Sequence, residues 1–114
     1  MRTHDKERDI IKLQHVLEAI SGIEKLLASG LKNDIADKAL ERYFEIIGEA
    51  CRGVSKDILS KYPTIPWGNI IALRNIISHE YDKVEVKTLY DIAENKIPAL
   101  RDWIIGILEE QTKD

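Results

Sequence analysis

The residues best suited to chemistry lie in one octapeptide, residues 74–81, where Arg74 is followed at a short distance by His79 and Tyr81. An arginine guanidinium stays positively charged and can bind a phosphate through two parallel hydrogen bonds. A histidine imidazole exchanges protons near neutral pH. A cation and a proton-transfer group are the minimum needed to cleave a phosphodiester without a metal. The octapeptide therefore predicts a phosphodiester-cleaving site with Arg74 and His79 as its candidate catalytic residues.

RNA is the phosphodiester that suits these residues, because it carries its own nucleophile. Its 2′-hydroxyl attacks the adjacent phosphorus and expels the 5′-oxygen, which requires a base, an acid and a cation for the phosphorane charge. Arg74 fits the cation, but one His79 imidazole cannot conveniently serve as both base and acid. A two-fold homodimer would bring two copies of each side chain into one cleft. On spacing alone, a histidine that only caps a helix end explains the same residues.

No metal or cofactor is predicted. The three histidines, His4, His15 and His79, are far apart in the chain, and no cluster of carboxylates flanks them. A glycine-rich phosphate-binding loop is also absent, so the chain is not expected to transfer nucleotides itself. The simplest source of a second imidazole is therefore a second subunit, whose contact would also cover apolar surface such as Trp67 or Trp103.

Composition limits the class of protein. The chain has 114 residues, 44% hydrophobic and 32% charged, which predicts a single helical domain over residues 1–114. Its formal net charge of −3 argues against a dedicated duplex-DNA binder but not against RNA bound at one local site. The polar start of the chain does not resemble a signal peptide, and no apolar run approaches the roughly 20 residues of a membrane span. We therefore expect a cytoplasmic protein that does not enter membranes.

Apolar residues recur with the period of amphipathic helices along most of the chain, and alternating strand patterns are absent. The pattern predicts an all-α fold, an antiparallel up-and-down helical bundle of four long helices and a short one. Pro98 lies inside the last helix and predicts a kink near residues 94–97, with a break into two helices as the alternative. The predicted helices span residues 5–29, 34–52, 56–61, 66 to about 78, and 87–110.

Short polar residues and glycines mark the ends of these helices. Gly30 and Gly53 are expected to end the first and second helices. Asn33 or Asp34 is expected to cap the start of the second helix, and Ser55 the start of the short one. These signals place the boundaries of the first three helices without reference to their packing.

Several residues near the octapeptide are interpreted as structural. Gly48 lies in the apolar stripe of the second helix, where glycine costs about 1 kcal/mol relative to alanine. Close approach of another helix would offset this cost, so Gly48 predicts a tight crossing. Cys51, in the same helix, is expected to be a small buried hydrophobe. Pro63 and Pro66 forbid a continuous helix and, with Trp67, are expected to set the entry angle of the next helix, with Pro66 in its first turn.

Three segments carry a resemblance to a known family. They are Ile-Ile-Gly-Glu-Ala at 46–50, Tyr-Pro-Thr-Ile-Pro-Trp at 62–67, and the stretch 70–81 that contains the octapeptide. In order, spacing and chain length they resemble the HEPN ribonucleases, and within them the HepT toxins of HepT–MntA toxin–antitoxin pairs. The resemblance covers essentially the whole chain, strongly in the middle and by helical pattern at the ends.

The resemblance implies an HEPN-like bundle that dimerises and cleaves RNA, without a metal, in the cleft between two subunits. Arg74 and His79 match the catalytic residues of the family motif. Tyr81 matches the tyrosine that the antitoxin, a minimal MntA-like nucleotidyltransferase, modifies with AMP from ATP. AMP attached there would place a phosphodiester anion and a base beside Arg74 and would block RNA.

Other residues near the motif have open roles. Asn75, Arg52 and Lys56 are candidates for binding the substrate, although Asn75 could instead cap a neighbouring backbone group. Glu49 is interpreted as an exposed helix carboxylate, with reach into the cleft as the alternative. Two rival functions also remain: a non-catalytic module that binds a nucleotide or a partner at Arg74, and a purely structural dimerisation module.

Overall fold

The computed structural model describes residues 3–75 and 85–113 of the chain, with side chains from Asp5 onward. Within these ranges the fold is an all-α bundle, which confirms the predicted fold class. None of the described helices is both long enough and apolar enough to cross a membrane. The helices are α1 (Thr3–Ser29), α2 (Asp34–Arg52), α3 (Lys56–Lys61), α4 (Trp67–Ala72), which continues into a 3₁₀ turn (Leu73–Asn75), α5 (Val86–Asn95) and α6 (Ile97–Gln111).

A short link reverses the chain between α1 and α2, and its geometry follows from its residues. Gly30 has a positive φ of 69°, a backbone conformation that glycine adopts without strain. The side chain of Asn33 accepts a hydrogen bond of 2.8 Å from the backbone N–H of Ala36, as expected of an N-cap. The predicted end of α1 and start of α2 are therefore confirmed.

Helix α2 lies at the centre of the bundle. It packs along α1 and also contacts α4, the 3₁₀ turn and α5, while α6 covers α1 and α5. Its inward face is fully apolar and lies against the inward faces of its neighbours. The largest wholly buried side chains are Leu13, Val16, Ile20 and Ile23 of α1, Leu40, Phe44, Ile47 and Cys51 of α2, Ile58 of α3, Leu89 of α5, and Ile104 and Ile107 of α6.

The C-terminal part is two helices rather than one kinked helix. Helix α5 ends at Asn95, Lys96 forms a turn, and α6 begins at Ile97. The break named as the alternative is therefore observed, and the predicted kink within one helix is corrected. Pro98 explains it, because proline lacks the N–H that a continuous helix would use and is tolerated in the first turn of a new one.

A buried carboxylate joins the start of α1 to the start of α3. Asp9 is 2% exposed, and its two carboxylate oxygens accept hydrogen bonds from the backbone N–H of Ser55 at 2.9 Å and from its hydroxyl at 2.6 Å. Ser55 does precede α3 as predicted, but its side chain makes no capping bond to that helix. Its hydroxyl instead donates to the carboxylate of Asp9, which is 46 residues away in the sequence. The signals that mark helix ends do not reveal such a long-range contact.

The proline-containing segment before α4 is fixed by Trp67. The indole N–H of Trp67 donates to the carbonyl of Tyr62 at 3.0 Å, and its side chain is buried. Helix α4 begins at Trp67, so Pro66 is its N-cap rather than a residue of its first turn. Trp67 is buried in the core of its own chain. The suggestion that a second subunit covers it is therefore corrected. Trp103 of α6 remains 38% exposed.

Candidate functional site

The 3₁₀ turn Leu73–Asn75, here called the Arg74 turn, is held against α2 by a backbone contact at Gly48. A Cβ atom on Gly48 would overlap the backbone nitrogen of Arg74 and would lie 2.9 Å from the carbonyl oxygen of Ile71. Only glycine leaves room for the turn to approach this closely. The tight crossing predicted at Gly48 is confirmed, and the chain segment that crosses there is the one that carries Arg74.

The Arg74 guanidinium is oriented by polar neighbours on two elements. One of its terminal nitrogens lies 3.1 Å from a carboxylate oxygen of Glu49, and its Nε donates to the side-chain oxygen of Asn75 at 3.4 Å. The Arg74 side chain is 29% exposed, whereas that of Glu49 is 65% exposed. Arg74 is therefore oriented by Glu49 and Asn75 and remains partly exposed. Glu49 is an exposed helix carboxylate, as interpreted from sequence, and it also contacts the arginine.

An open depression of about 330 Å³ lies in front of this arginine. We call it the Arg74 depression. Asn75 lines the same side as Arg74, and three residues of α2 line the other: Arg42, Glu45 and Glu49. Arg42 and Glu45 form an ion pair of their own on the surface of α2. The depression thus holds two arginines, each already paired with a carboxylate, and an anion entering it would meet both cations.

The other candidate residues differ in their relation to this depression. Asn75 lines it beside Arg74. Arg52 and Lys56 are exposed at the end of α2 and the start of α3, and neither belongs to its lining. His79 and Tyr81 lie outside the described residues. The catalytic, substrate-binding and modification roles of all these residues remain predictions.

Sequence reasoning missed the charged row on α2. Arg42, Glu45 and Glu49 are separated by three and four residues, a spacing that puts them on one face of a helix. That face is adjacent to Gly48, so a tight crossing at this glycine implies that the crossing segment meets the charged row. The spacing of the row, read together with Gly48, was the available signal.

Two further features of the site region concern metal and thiol chemistry. Over the part of the chain that the structure describes, no group of three or more His, Cys, Asp or Glu side chains could hold a metal ion. Cys51 follows Glu49 on α2 but faces the core, as predicted, and burial raises the pKa of its thiol to about 12. Its thiol is therefore kept out of any reaction in the Arg74 depression.

The comparison with protein families matches most of the chain. A family model described as "Ribonuclease HepT-like" covers residues 13–107, a range that includes α2, the Arg74 turn and the octapeptide. The chain belongs to the HepT-like ribonuclease family. The resemblance stated from the motifs is thus confirmed.

Curated HepT-like relatives agree with this membership. "Probable ribonuclease HepT" of Thermococcus cleftensis is 33% identical over 94 residues, 78% of this chain and 86% of the relative. "Putative RNase MJ0127" of Methanocaldococcus jannaschii is 37% identical over 68 residues, 60% of this chain and 56% of the relative. "Gamma-glutamylcyclotransferase and putative RNase MJ0434" of the same organism is 31% identical over 109 residues, 91% of this chain.

The lengths of these relatives differ. The alignment covers only 49% of the last named protein, so this chain spans about half its length. It spans somewhat more than half of the second. No solved structure gives a significant match to the chain.

Proposed function

We propose that this HepT-like chain is a metal-independent endoribonuclease and that Arg74 binds the scissile phosphate. The observation that carries the proposal is the anchoring of Arg74 by the Gly48 crossing and by Glu49, at the edge of an open depression. A guanidinium that is oriented by neighbouring side chains and partly exposed beside a depression is well placed to bind a phosphate through paired hydrogen bonds. Family membership supports RNA as the polymer that supplies this phosphate.

The reaction proposed at this site needs no external nucleophile. The 2′-oxygen of the substrate bonds to phosphorus while its proton passes to a neutral imidazole of His79. The bond from phosphorus to the 5′-oxygen breaks, and a protonated imidazole gives its proton to the leaving oxygen. Arg74 stabilises the extra negative charge of the phosphorane. The products are a 2′,3′-cyclic phosphate and a 5′-hydroxyl.

Two imidazoles in opposite protonation states imply two copies of His79. We therefore propose a homodimer in which each subunit contributes one Arg74 and one His79 to a shared cleft. Two-fold symmetry is the simplest assembly that places identical residues opposite each other. Such a cleft gives both the base and the acid while the chain supplies only one motif histidine.

Regulation by a toxin–antitoxin partner is the second part of the proposal. A minimal nucleotidyltransferase antitoxin transfers AMP from ATP to the hydroxyl of Tyr81 and releases pyrophosphate. The attached phosphodiester carries a negative charge and would compete with RNA for Arg74. The support for this part is the position of Tyr81 in the family motif, two residues after His79.

The test of the nuclease is cleavage of mixed RNA by purified, unmodified protein in excess chelator. We expect cyclic-phosphate ends and a bell-shaped pH profile centred within about one unit of the ordinary imidazole pKa of ~6.5. Arg74→Ala should lower kcat by about 10²–10³-fold, the usual effect of removing a group that stabilises transition-state charge. Arg101→Ala is the matched control, because Arg101 is an exposed arginine paired with Glu24 on a distant surface.

Several outcomes would overturn the nuclease assignment. His79→Ala protein that is folded yet cuts RNA as well as the parent removes the proposed base. Parent protein that leaves RNA intact but binds nucleotides through Arg74 establishes the non-catalytic module instead. For the regulatory part, mass spectrometry after co-expression with a nucleotidyltransferase should find AMP on Tyr81 and not on Tyr62, which serves as an internal control.

A further inference from the structure

A second depression adjoins the Arg74 depression along the outward face of α2, on the side nearer to α1. Its volume is about 170 Å³, and Lys12 and His15 of α1 form one of its walls. Arg42 and Glu49 line both depressions and therefore form the ridge between them. We call the smaller one the His15 depression. The two depressions thus lie side by side between the Arg74 turn and α1, separated only by this ridge.

The lining of the His15 depression suits one nucleobase with its phosphate. Ile46 and Ala50 of α2 form an apolar floor of the depression, since Ala50 is buried and Ile46 is half-buried. The exposed imidazole of His15 offers a flat aromatic face, on which unpaired bases stack. Lys12 adds an ammonium group, which attracts phosphate. Its volume is below the range typical of drug-sized ligands, which fits one planar ring system.

The shared lining residues show how the two depressions are related. Arg42 and Glu49 belong to both linings, and at about 100° per residue the remaining lining residues of α2 fall on the same outward face of the helix, so the two depressions are direct neighbours. A single strand of RNA bound with a phosphate at Arg74 would reach His15 with a nearby nucleotide. A duplex would not, because its bases stay stacked and paired inside the helix.

We propose that the His15 depression is a substrate subsite that binds a base flanking the scissile phosphate, and that it restricts the enzyme to single-stranded RNA. His15 stacks on the base and Lys12 contacts an adjacent phosphate. The inference rests on the proposed ribonuclease function for its biological meaning. Its binding step, however, is testable without cleavage.

The test uses a fluorescent 2′-O-methyl oligonucleotide of mixed sequence, which cannot be cleaved because its 2′-oxygen is blocked. His15→Ala should weaken binding by about 5- to 100-fold, the effect of losing one stacked base. His15→Phe keeps an aromatic face and should bind within about threefold of the parent. Gln14→Ala, at the exposed neighbouring position of α1 outside the lining, should bind as the parent does.

The phosphate contact of Lys12 has a separate readout in the salt dependence of binding. Lys12→Gln should reduce the slope of log K against log[salt] by about 0.7, the value for one phosphate contact on a single strand. Lys25→Gln, an exposed lysine farther along α1, should leave that slope unchanged. A duplex of the same sequence should bind more weakly, and its affinity should not depend on His15.

The outcomes separate this inference from the proposed function. If the parent cleaves RNA but His15→Ala and Gln14→Ala bind the oligonucleotide equally, the subsite is wrong and the nuclease stands. If the parent never cleaves yet binding still depends on His15 as described, the nuclease is wrong and the subsite stands. Parent protein that does not bind the single strand, or binds the duplex as tightly through His15, overturns the subsite.

Discussion

The two sides of α2 follow different rules. The inward side, with Phe44, Ile47 and Cys51, has no exposed area and lies in the shared core. The outward side carries Arg42 and Glu49 in exposed ion pairs. The inward side contributes stability through burial of apolar area, whereas the outward ion pairs contribute little to stability and much to local charge. The inward face of α2 therefore serves mainly the stability of the fold, and its outward face contributes mainly to the candidate site.

Gly48 is the position where the two sides meet. It is buried like the core residues, yet what it touches is the backbone of the Arg74 turn. A change there should affect both folding and function, whereas a change on either face should affect mainly one. The following predictions use this difference, beginning with Gly48.

Gly48→Ala should have the largest effect. Its new Cβ would overlap the Arg74 backbone, and a backbone cannot move aside as the tip of a side chain can. We expect a loss of about 1–3 kcal/mol of stability from overpacking. RNA cleavage by the folded fraction should fall by about 10²-fold or more, because a shift of about 1 Å misplaces a catalytic group. Chemical denaturation and single-turnover cleavage measure the two effects.

Gly106→Ala in α6 is the matched control for this prediction. Among the residues that the structure describes, no atom outside the local helix lies within 4 Å of a Cβ built there. Alanine should then stabilise the helix by up to about 1 kcal/mol without changing cleavage. Equal effects of the two substitutions would show that the crossing at Gly48 is not what positions Arg74.

Glu49→Ala should have a smaller effect that is confined to activity. The exposed pair with Arg74 is worth about 0.2–1 kcal/mol, so losing it should lower kcat by up to about fivefold and barely change stability. Glu49→Gln keeps an oxygen that accepts from Arg74 and should lose less. Glu24→Ala, which removes the carboxylate of another exposed arginine pair, is the control. Faster cleavage by Glu49→Ala would mean that this carboxylate competes with phosphate rather than orienting the arginine.

Ile47→Val tests the inward side next to Gly48. Removing one buried methyl group should cost about 0.5–1.5 kcal/mol of stability. Cleavage per folded molecule should not change, because Ile47 faces the core and does not line the Arg74 depression. Ile104→Val in α6, at an equally buried position, should behave in the same way. A cleavage defect specific to Ile47→Val would show that the two sides of α2 are coupled.

How much the sequence predicted depends on whether a feature is local. The end of α1 and the start of α2 were predictable because Gly30 and Asn33 act on the backbone within a few residues of themselves. The crossing at Gly48 was predictable because an unfavourable helix residue implies a compensating contact. The bond between Asp9 and Ser55 was not, because it joins residues that only the tertiary fold brings together. The burial of Trp67 was missed for the same reason.

The candidate site divides in the same way. Arg74 was identified from its residue type and its spacing to His79, which are properties of a short segment. Its pairing with Glu49 spans 25 residues and depends on how α2 meets the Arg74 turn. His15 lies in the middle of α1, and its proximity to the ridge on α2 follows from helix packing, which the sequence does not show. The sequence therefore predicted which residue could bind a phosphate, but it did not predict the shape of the surface around that residue.

Ionisation of the Cys51 thiol should have the smallest effect on stability at neutral pH and a measurable effect at alkaline pH. Burial raises its pKa from 9.0 to about 12, so the folded protein keeps the thiol proton while the unfolded chain loses it. Stability should therefore fall as pH rises from about 9 towards 12, by at most about 1.4 kcal/mol per pH unit. Cys51→Ala should lose this part of the slope.

The measurement is chemical denaturation of the parent and Cys51→Ala at about pH 7 and about pH 10.5. The cavity left by alanine destabilises equally at both values and cancels in the difference. Tyr90, whose pKa is also raised, chiefly by desolvation, is common to both proteins and cancels too. An unchanged difference between the two proteins would mean that the thiol ionises in the folded state. Water would then reach Cys51 on the inward side of α2, and that side would not be fully buried at this position.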